Sequence, residues 1–177
     1  MRRLLAALFA VAVAACAPTS QPATSGAVQE QVASLWTAET RSVLPADTAR
    51  MLGRQCSRVS PGPIEDAWTP SEADIQTMED GLILLLAQKL EERGESPSPG
   101  DYYRQIAGFV IGGRRMIYVN GVHRGAVEDS PVVTPRDLRR TWRDYPIQIC
   151  DGGSITFGVE YDPATRQFSN FAFNGAI

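Results

Sequence analysis

Histidine is nearly absent from this chain, since His123 is the only one among 177 residues. Hydrolytic triads and zinc sites normally depend on histidine, and His123 has neither a G-x-S-x-G serine nor closely spaced Cys or His residues to accompany it. Phosphate-binding loops are missing as well, because the GGRR and DGGS stretches fit neither a P-loop nor a dinucleotide fingerprint. We therefore expect no metal, no cofactor and no catalytic role for His123.

Basic residues are outnumbered, with 17 Lys and Arg against 20 Asp and Glu and a formal net charge of -3. Nucleic-acid binding is not expected, because neutralising phosphates takes a basic face. One predicted short helix, 134–143, nevertheless carries a group of arginines that is a candidate surface for an acidic partner or an anionic envelope polymer. These are Arg136, Arg139, Arg140 and Arg143, with Arg114 and Arg115 nearby in sequence. The alternative is a solvated helix face whose arginines pair with Asp137 and Asp144.

The N-terminal apolar run is too short to cross a membrane. It extends from Leu4 to Ala15, against the roughly 20 residues that a spanning helix needs. Arg2 and Arg3 precede it and Cys16 follows it, which is the pattern of an export signal. We predict a signal peptide over 1–15, followed by a polar tether over 16–27 with a reach of roughly 20 Å and one globular domain over 28–177.

The end of the signal, Val13-Ala14-Ala15-Cys16, resembles the lipobox of bacterial lipoproteins. The resemblance implies cleavage just before Cys16, lipid on its thiol and a membrane anchor in the bacterial cell envelope. Ala17 is not the Asp that retains many such proteins in the inner membrane, which implies an outer-membrane position facing the periplasm. The other interpretation is an ordinary cleaved signal that ends in a chance cysteine.

Two further cysteines, Cys56 and Cys150, remain if Cys16 carries lipid. An even pair in an oxidising envelope compartment indicates a disulfide. Two reduced, buried cysteines are the alternative, since sequence spacing does not show whether their Cα atoms approach each other.

The strongest structural pattern is a helix over Thr69–Arg93. Thr69, Pro70 and Glu72 have the spacing of a capping box that begins at Thr69. Apolar residues recur at intervals of three and four, which predicts one buried stripe. They are Ile75, Met78, Leu82, Leu85, Leu86 and Leu90.

Strand patterns follow this helix. A hairpin is predicted where Gly112 and Gly113 separate two apolar segments. The predicted strands are Tyr102–Ile111, Arg114–Val122, a short Ile147–Cys150, Ser154–Tyr161 and Gln167–Phe173. Short helices are expected between residues 28 and 54. The fold class is therefore α+β, an antiparallel sheet of four to five strands with the long helix packed across it.

Both faces of this sheet are partly apolar, because Phe109 and Ile106 point to opposite sides of one strand. Either other segments cover the second face or that face binds a partner; the cover is favoured, since large exposed apolar patches are uncommon.

Three functions remain open. The first is a non-enzymatic lipoprotein that binds another envelope protein as an accessory or inhibitor. The second is a small-ligand binder with an apolar cup between helix and sheet, lined by Phe157, Tyr161 and Phe168. The third is an enzyme with carboxylate or arginine chemistry, although Asp151 and Asp162 have the pattern of turn residues.

Replacing Cys16 by serine tests the anchor. We expect the Cys16→Ser precursor to stay uncut by the lipoprotein peptidase and to take up no radioactive palmitate, whereas the wild-type protein is labelled and fractionates with membranes. Two or more acyl chains suffice for stable anchoring. Wild-type protein without palmitate, or a variant that fractionates like wild type, would contradict the anchor.

Overall fold

The computed structural model describes residues 36–129 and 141–175. Its strands are β1 (Arg41–Val43), β2 (Asp66–Trp68), β3 (Tyr102–Ile111), β4 (Arg114–His123), β5 (Thr156–Asp162) and β6 (Gln167–Phe173). Its α-helices are α1 (Ala46–Ala49), α2 (Glu72–Glu92) and α3 (Arg124–Glu128). Short 3-10 turns lie at Ala38–Thr40, Arg50–Gly53, Pro99–Asp101 and Gly153–Ile155.

The six strands form one mostly antiparallel sheet, in the order β1-β3-β4-β5-β6 with β2 also paired to β3. The predicted α+β class and the hairpin around Gly112 and Gly113 are confirmed, and β6 has the predicted bounds. Two three-residue strands were not predicted: β1 pairs in parallel with β3, and β2 pairs antiparallel to it. Both lie along the edge of β3 that the hairpin leaves open.

The predicted strand Ile147–Cys150 was wrong. Side chains from the sheet, rather than another strand, bind the backbone of this segment. The Ile147 amide donates to Gln105 Oε1 at 2.8 Å, and its carbonyl accepts from Asn120 Nδ2 at 2.9 Å. These bonds satisfy both backbone polar groups of Ile147 without a neighbouring strand.

Helix α2 begins two residues later than predicted. Its N-cap is Ser71, whose Oγ accepts from the Asp74 amide at 3.2 Å while the Asp74 carboxylate accepts from the Ser71 amide. Thr69 does not cap the helix, because β2 continues through Trp68 and Pro70 is buried against Gly108. A Cβ added at Gly108 would lie 3.0 Å from Pro70 Cδ. The predicted apolar stripe is buried, with Leu85 partly so.

The stripe of α2 packs on one face of the sheet. The sheet residues there are Tyr102, Ile106, Ile117, Val119, Phe157, Val159 and Tyr161. Gly81 lets the helix approach β6 closely, since a Cβ at that position would lie 2.9 Å from Phe168 Cε2. This face is the main hydrophobic core.

The second face of the sheet is covered, as favoured from the sequence. Leu44, Ala49 and Leu52 of the N-terminal segment pack on it near Phe109 and Tyr118. Trp142 and Ile147 pack with Val122 and Val127 at its other end. Both faces of β3 and β4 are therefore covered over most of their length.

Cys56 and Cys150 come to disulfide distance, as predicted, with their Cα atoms 5.1 Å apart. The bond joins positions 94 residues apart and ties the loop after Leu52 to the segment before β5. Within residues 36–129 and 141–175, no helix is long and apolar enough to cross a membrane.

Several sequence predictions lie outside the described residues. They are the signal peptide 1–15, Cys16, the tether 16–27, the helical segment 28–35, and Arg136, Arg139 and Arg140.

The position of the N-cap gives a stability prediction. Ser71→Ala removes the acceptor for the Asp74 amide, so we expect it to lower the free energy of unfolding by about 1 kcal/mol. Thr69→Ala, the matched control at the exposed residue first predicted to cap, should change it by less than about 0.5 kcal/mol. Urea unfolding measures both, and the reverse order would contradict this helix start.

Candidate functional site

A groove of about 520 Å³ lies at one end of the sheet, where four segments meet. They are the end of β2, the start of β4, the first turn of α2 and the β5–β6 turn. Eight residues line the groove: Trp68, Asp74, Arg114, Arg115, Asp162, Pro163, Ala164 and Thr165.

The indole of Trp68 is held in place by hydrogen bonds to two strands of the sheet. Its Nε1 donates to the carbonyls of Phe109 on β3 and Met116 on β4, each at 3.2 Å. Gly108, opposite Trp68 in the register, allows the Trp68 backbone to lie close to β3, because a Cβ at Gly108 would overlap the Trp68 carbonyl oxygen. The ring is therefore a fixed apolar surface in the groove.

Arg115 lies over this ring, with its guanidinium carbon 5.3 Å from the ring centroid. The side chain is exposed and, in the part of the chain that the structure describes, makes no ion pair. A guanidinium over an indole face gains roughly 0.5–1 kcal/mol at an exposed site. The contact orients the cation and leaves its N–H groups available to a ligand.

Asp162 supports the other side of the groove. Its Oδ1 accepts from the backbone amides of Ala164 at 2.9 Å and Thr165 at 3.4 Å, which holds the β5–β6 turn. Its Oδ2 accepts from Arg114 Nη1 at 3.2 Å. The charges of Arg114 and Asp162 thus neutralise each other.

Asp74, the second carboxylate of the groove, belongs to the helix cap. Its Oδ2 accepts from the Ser71 hydroxyl at 2.6 Å and from the Ser71 amide at 3.3 Å. The carboxylate also lies in the first turn of α2, where the helix dipole offsets a negative charge. Both lining carboxylates therefore have structural partners.

Arg143 and Arg114, which the sequence analysis grouped in one candidate basic surface, are separated in space. Arg143 donates to the carbonyls of Arg41 at 3.2 Å and Glu39 at 2.8 Å, so it holds the segment around β1. Arg41 pairs with Arg104 on β3, whereas Arg114 pairs with Ile111 at the far end of that strand. The distance between the two positions along β3 is about 23 Å.

His123 has a structural role. Its Nδ1 accepts from the Gly125 amide at 3.2 Å and caps α3, while its ring meets the edge of Tyr102. Among residues 36–129 and 141–175, no cluster of three or more His, Cys, Asp or Glu side chains has the arrangement of a metal site. Glu160 accepts from Asn170 Nδ2 at 3.1 Å, and Asp151 forms a backbone bridge with Gly175.

The residues of the predicted apolar cup pack against other rings. Phe157 stacks on Phe171 with ring centroids 5.5 Å apart, and Tyr161 contacts Phe168 at 4.9 Å. Phe157 and Tyr161 belong to the buried cluster beneath α2, and Phe168 packs against it. These side chains are part of the packed interface between helix and sheet.

A buried charge cluster lies away from the groove. Arg104 is fully buried and donates to Glu79 Oε1 at 2.8 Å, while Arg41 donates to Glu79 Oε2 at 3.0 Å. Burial lowers the pKa of Arg104, and the nearby Glu79 carboxylate opposes that change. The cluster ties α2 to β3 and β1.

Sequence reasoning did not identify the groove, although it noted both of its arginines. Trp68 was not among the candidate residues, and its role depends on the unpredicted pairing of β2 with β3. A tryptophan just before a helix start, together with arginines just after a hairpin glycine pair, is the only signal in the sequence.

Asp162 gives a prediction about the wall of the groove. Asp162→Ala removes the turn acceptor and the partner of Arg114, so we expect a loss of about 1–2 kcal/mol in the free energy of unfolding. Asp162→Asn keeps Oδ1 as an acceptor and loses only an ion pair to a side chain that is 68% exposed, so it should cost less than about 1 kcal/mol. Equal losses in urea unfolding would show that the turn contacts contribute nothing.

No family model, no curated protein and no solved structure matches this chain. Its function is therefore argued from the groove and from the residues that line it.

Proposed function

We propose that this protein is a lipid-anchored component of a bacterial cell envelope whose domain acts by binding another envelope protein, without catalysis. The observation that carries the proposal is the groove with its fixed Trp68 ring and the arginine above it. Tryptophan and arginine are the side chains most enriched where binding energy concentrates in protein interfaces.

The walls of the groove are held in place before any partner binds, which supports a role in binding a partner. Trp68 is held by two backbone carbonyls, and Asp162 holds the β5–β6 turn. A surface that is already ordered pays less conformational entropy when a partner binds. The carboxylates of Asp74 and Asp162 have roles in the cap and the turn, which favours binding over acid-base chemistry.

The predicted anchor suits this role. Lipid on Cys16 would hold the domain at the membrane, and the tether over 16–27 would allow it to move by roughly 20 Å. Confinement of both partners to one membrane surface raises their effective concentration, so a modest groove becomes sufficient for association. The proposed position is the outer membrane, facing the periplasm.

Small-ligand binding is the second candidate function. Its proposed site is the same groove rather than the apolar cup predicted from the sequence. A volume of about 520 Å³ falls within the roughly 300–1,000 Å³ typical of ligand sites. The rings of Phe157 and Tyr161, in contrast, are packed in the core.

Photo-crosslinking in living cells distinguishes the two. A photoreactive residue at the exposed groove position Thr165 should form an adduct with one envelope protein, identified by mass spectrometry. The same residue at Glu91, exposed near the other end of α2, is the matched control and should not form it. Cys16→Ser should weaken the adduct at Thr165 by releasing the domain from the membrane.

Two results would contradict the proposal. Identical adducts at both positions would mean that contacts are non-specific. If the correctly anchored protein forms no protein adduct at Thr165, binding of a protein partner is rejected and small-ligand binding remains.

A further inference from the structure

The charges in the walls of the groove indicate what enters it. We infer that Arg115 binds a carboxylate side chain in an acidic segment of the partner, with Trp68 as its apolar support. This inference rests on the proposed function and names the chemistry of the partner.

Among the described residues that line the groove, Arg115 is the cation that forms no ion pair. Asp162 neutralises Arg114 at 3.2 Å. Asp74 carries a negative charge, but it accepts two hydrogen bonds from Ser71 and lies at the positive end of the α2 dipole. Arg115 is the groove residue whose charge has no carboxylate partner within residues 36–129 and 141–175.

The geometry of Arg115 suits a carboxylate. A guanidinium is planar and presents pairs of N–H donors that match the two oxygens of a carboxylate. Its guanidinium carbon lies 5.3 Å from the Trp68 ring centroid, and the side chain is exposed, so its N–H donors stay accessible. The Trp68 ring itself is fixed by two hydrogen bonds, which limits the side-chain freedom that binding would remove.

The apolar lining favours a peptide over a bare anion. Trp68, Pro163 and Ala164 offer apolar surface on both sides of Arg115 and Arg114. An acidic segment with aliphatic neighbours would use the cation and this surface together. Inorganic phosphate would use the cation alone.

Peptide binding to the full-length lipidated protein in detergent tests the inference. The probe is a fluorescein-labelled octapeptide of alternating leucine and glutamate, read by fluorescence anisotropy. Versions with glutamine or lysine in place of glutamate have the same length and apolar content. We expect the glutamate peptide to bind about tenfold more tightly than the glutamine peptide, and the lysine peptide to bind weakest.

Three variants locate the effect. Arg115→Gln should weaken binding of the glutamate peptide about tenfold and leave the glutamine peptide unchanged. Arg115→Lys should restore part of the affinity, because it keeps the charge without the planar fork. Arg124→Gln, at an exposed arginine at the opposite end of β4, is the control and should bind like wild type. Circular dichroism melting checks that all variants are folded.

Four results would overturn the inference. They are equal affinities for the glutamate and glutamine peptides, tightest binding of the lysine peptide, an equal effect of Arg124→Gln, and displacement of the peptide by phosphate at constant ionic strength. If Thr165 forms the adduct but the peptides show no charge preference, the proposed function stands and the binding role of Arg115 is rejected. If peptide binding is charge-selective but Thr165 forms no adduct, the carboxylate-binding site stands and the protein partner is rejected.

Discussion

The burial of one helix stripe against the sheet is the interaction on which the rest of this structure depends. Met78, Leu82 and Leu86 are fully buried, and each such side chain contributes about 1.5–3 kcal/mol relative to exposure. The sheet residues beneath them are equally buried, so the two layers pack directly against each other. The same packing locates the groove, because α2 begins soon after Trp68 and its first turn closes one side of it.

The second face of the sheet is held by a different kind of contact. Gln105 and Asn120 lie at the centre of the sheet and bind the backbone of the segment that covers them, including Tyr145 and Ile147. A buried amide left without partners costs about 1–3 kcal/mol, so this segment cannot leave without a penalty. Polar residues in the interior of β3 and β4 therefore fix the position of an otherwise irregular chain.

The predictability of this fold follows from how local each signal is. The stripe of α2 and the hairpin at Gly112 and Gly113 lie within single segments, and both were predicted from the sequence. Strand β1 has only three residues and exists because the edge of β3 accepts it, a contact over sixty residues away in sequence. The N-cap was predicted at Thr69, whereas the capping box that forms joins Ser71 and Asp74.

The candidate site shows the same limit more strongly. The arginines grouped in the sequence suggested a binding surface that includes Arg143. In the structure Arg143 donates to backbone carbonyls near β1 and lies over the Trp142 ring. Arg115 stands beside Arg114 in sequence, but their partners differ: a carboxylate for Arg114 and an aromatic ring for Arg115. That difference arises only when β2 and β5 take their places on either side of the hairpin. The fold, rather than proximity in sequence, therefore decides that Arg114 has an ion-pair partner among the described residues and that Arg115 does not.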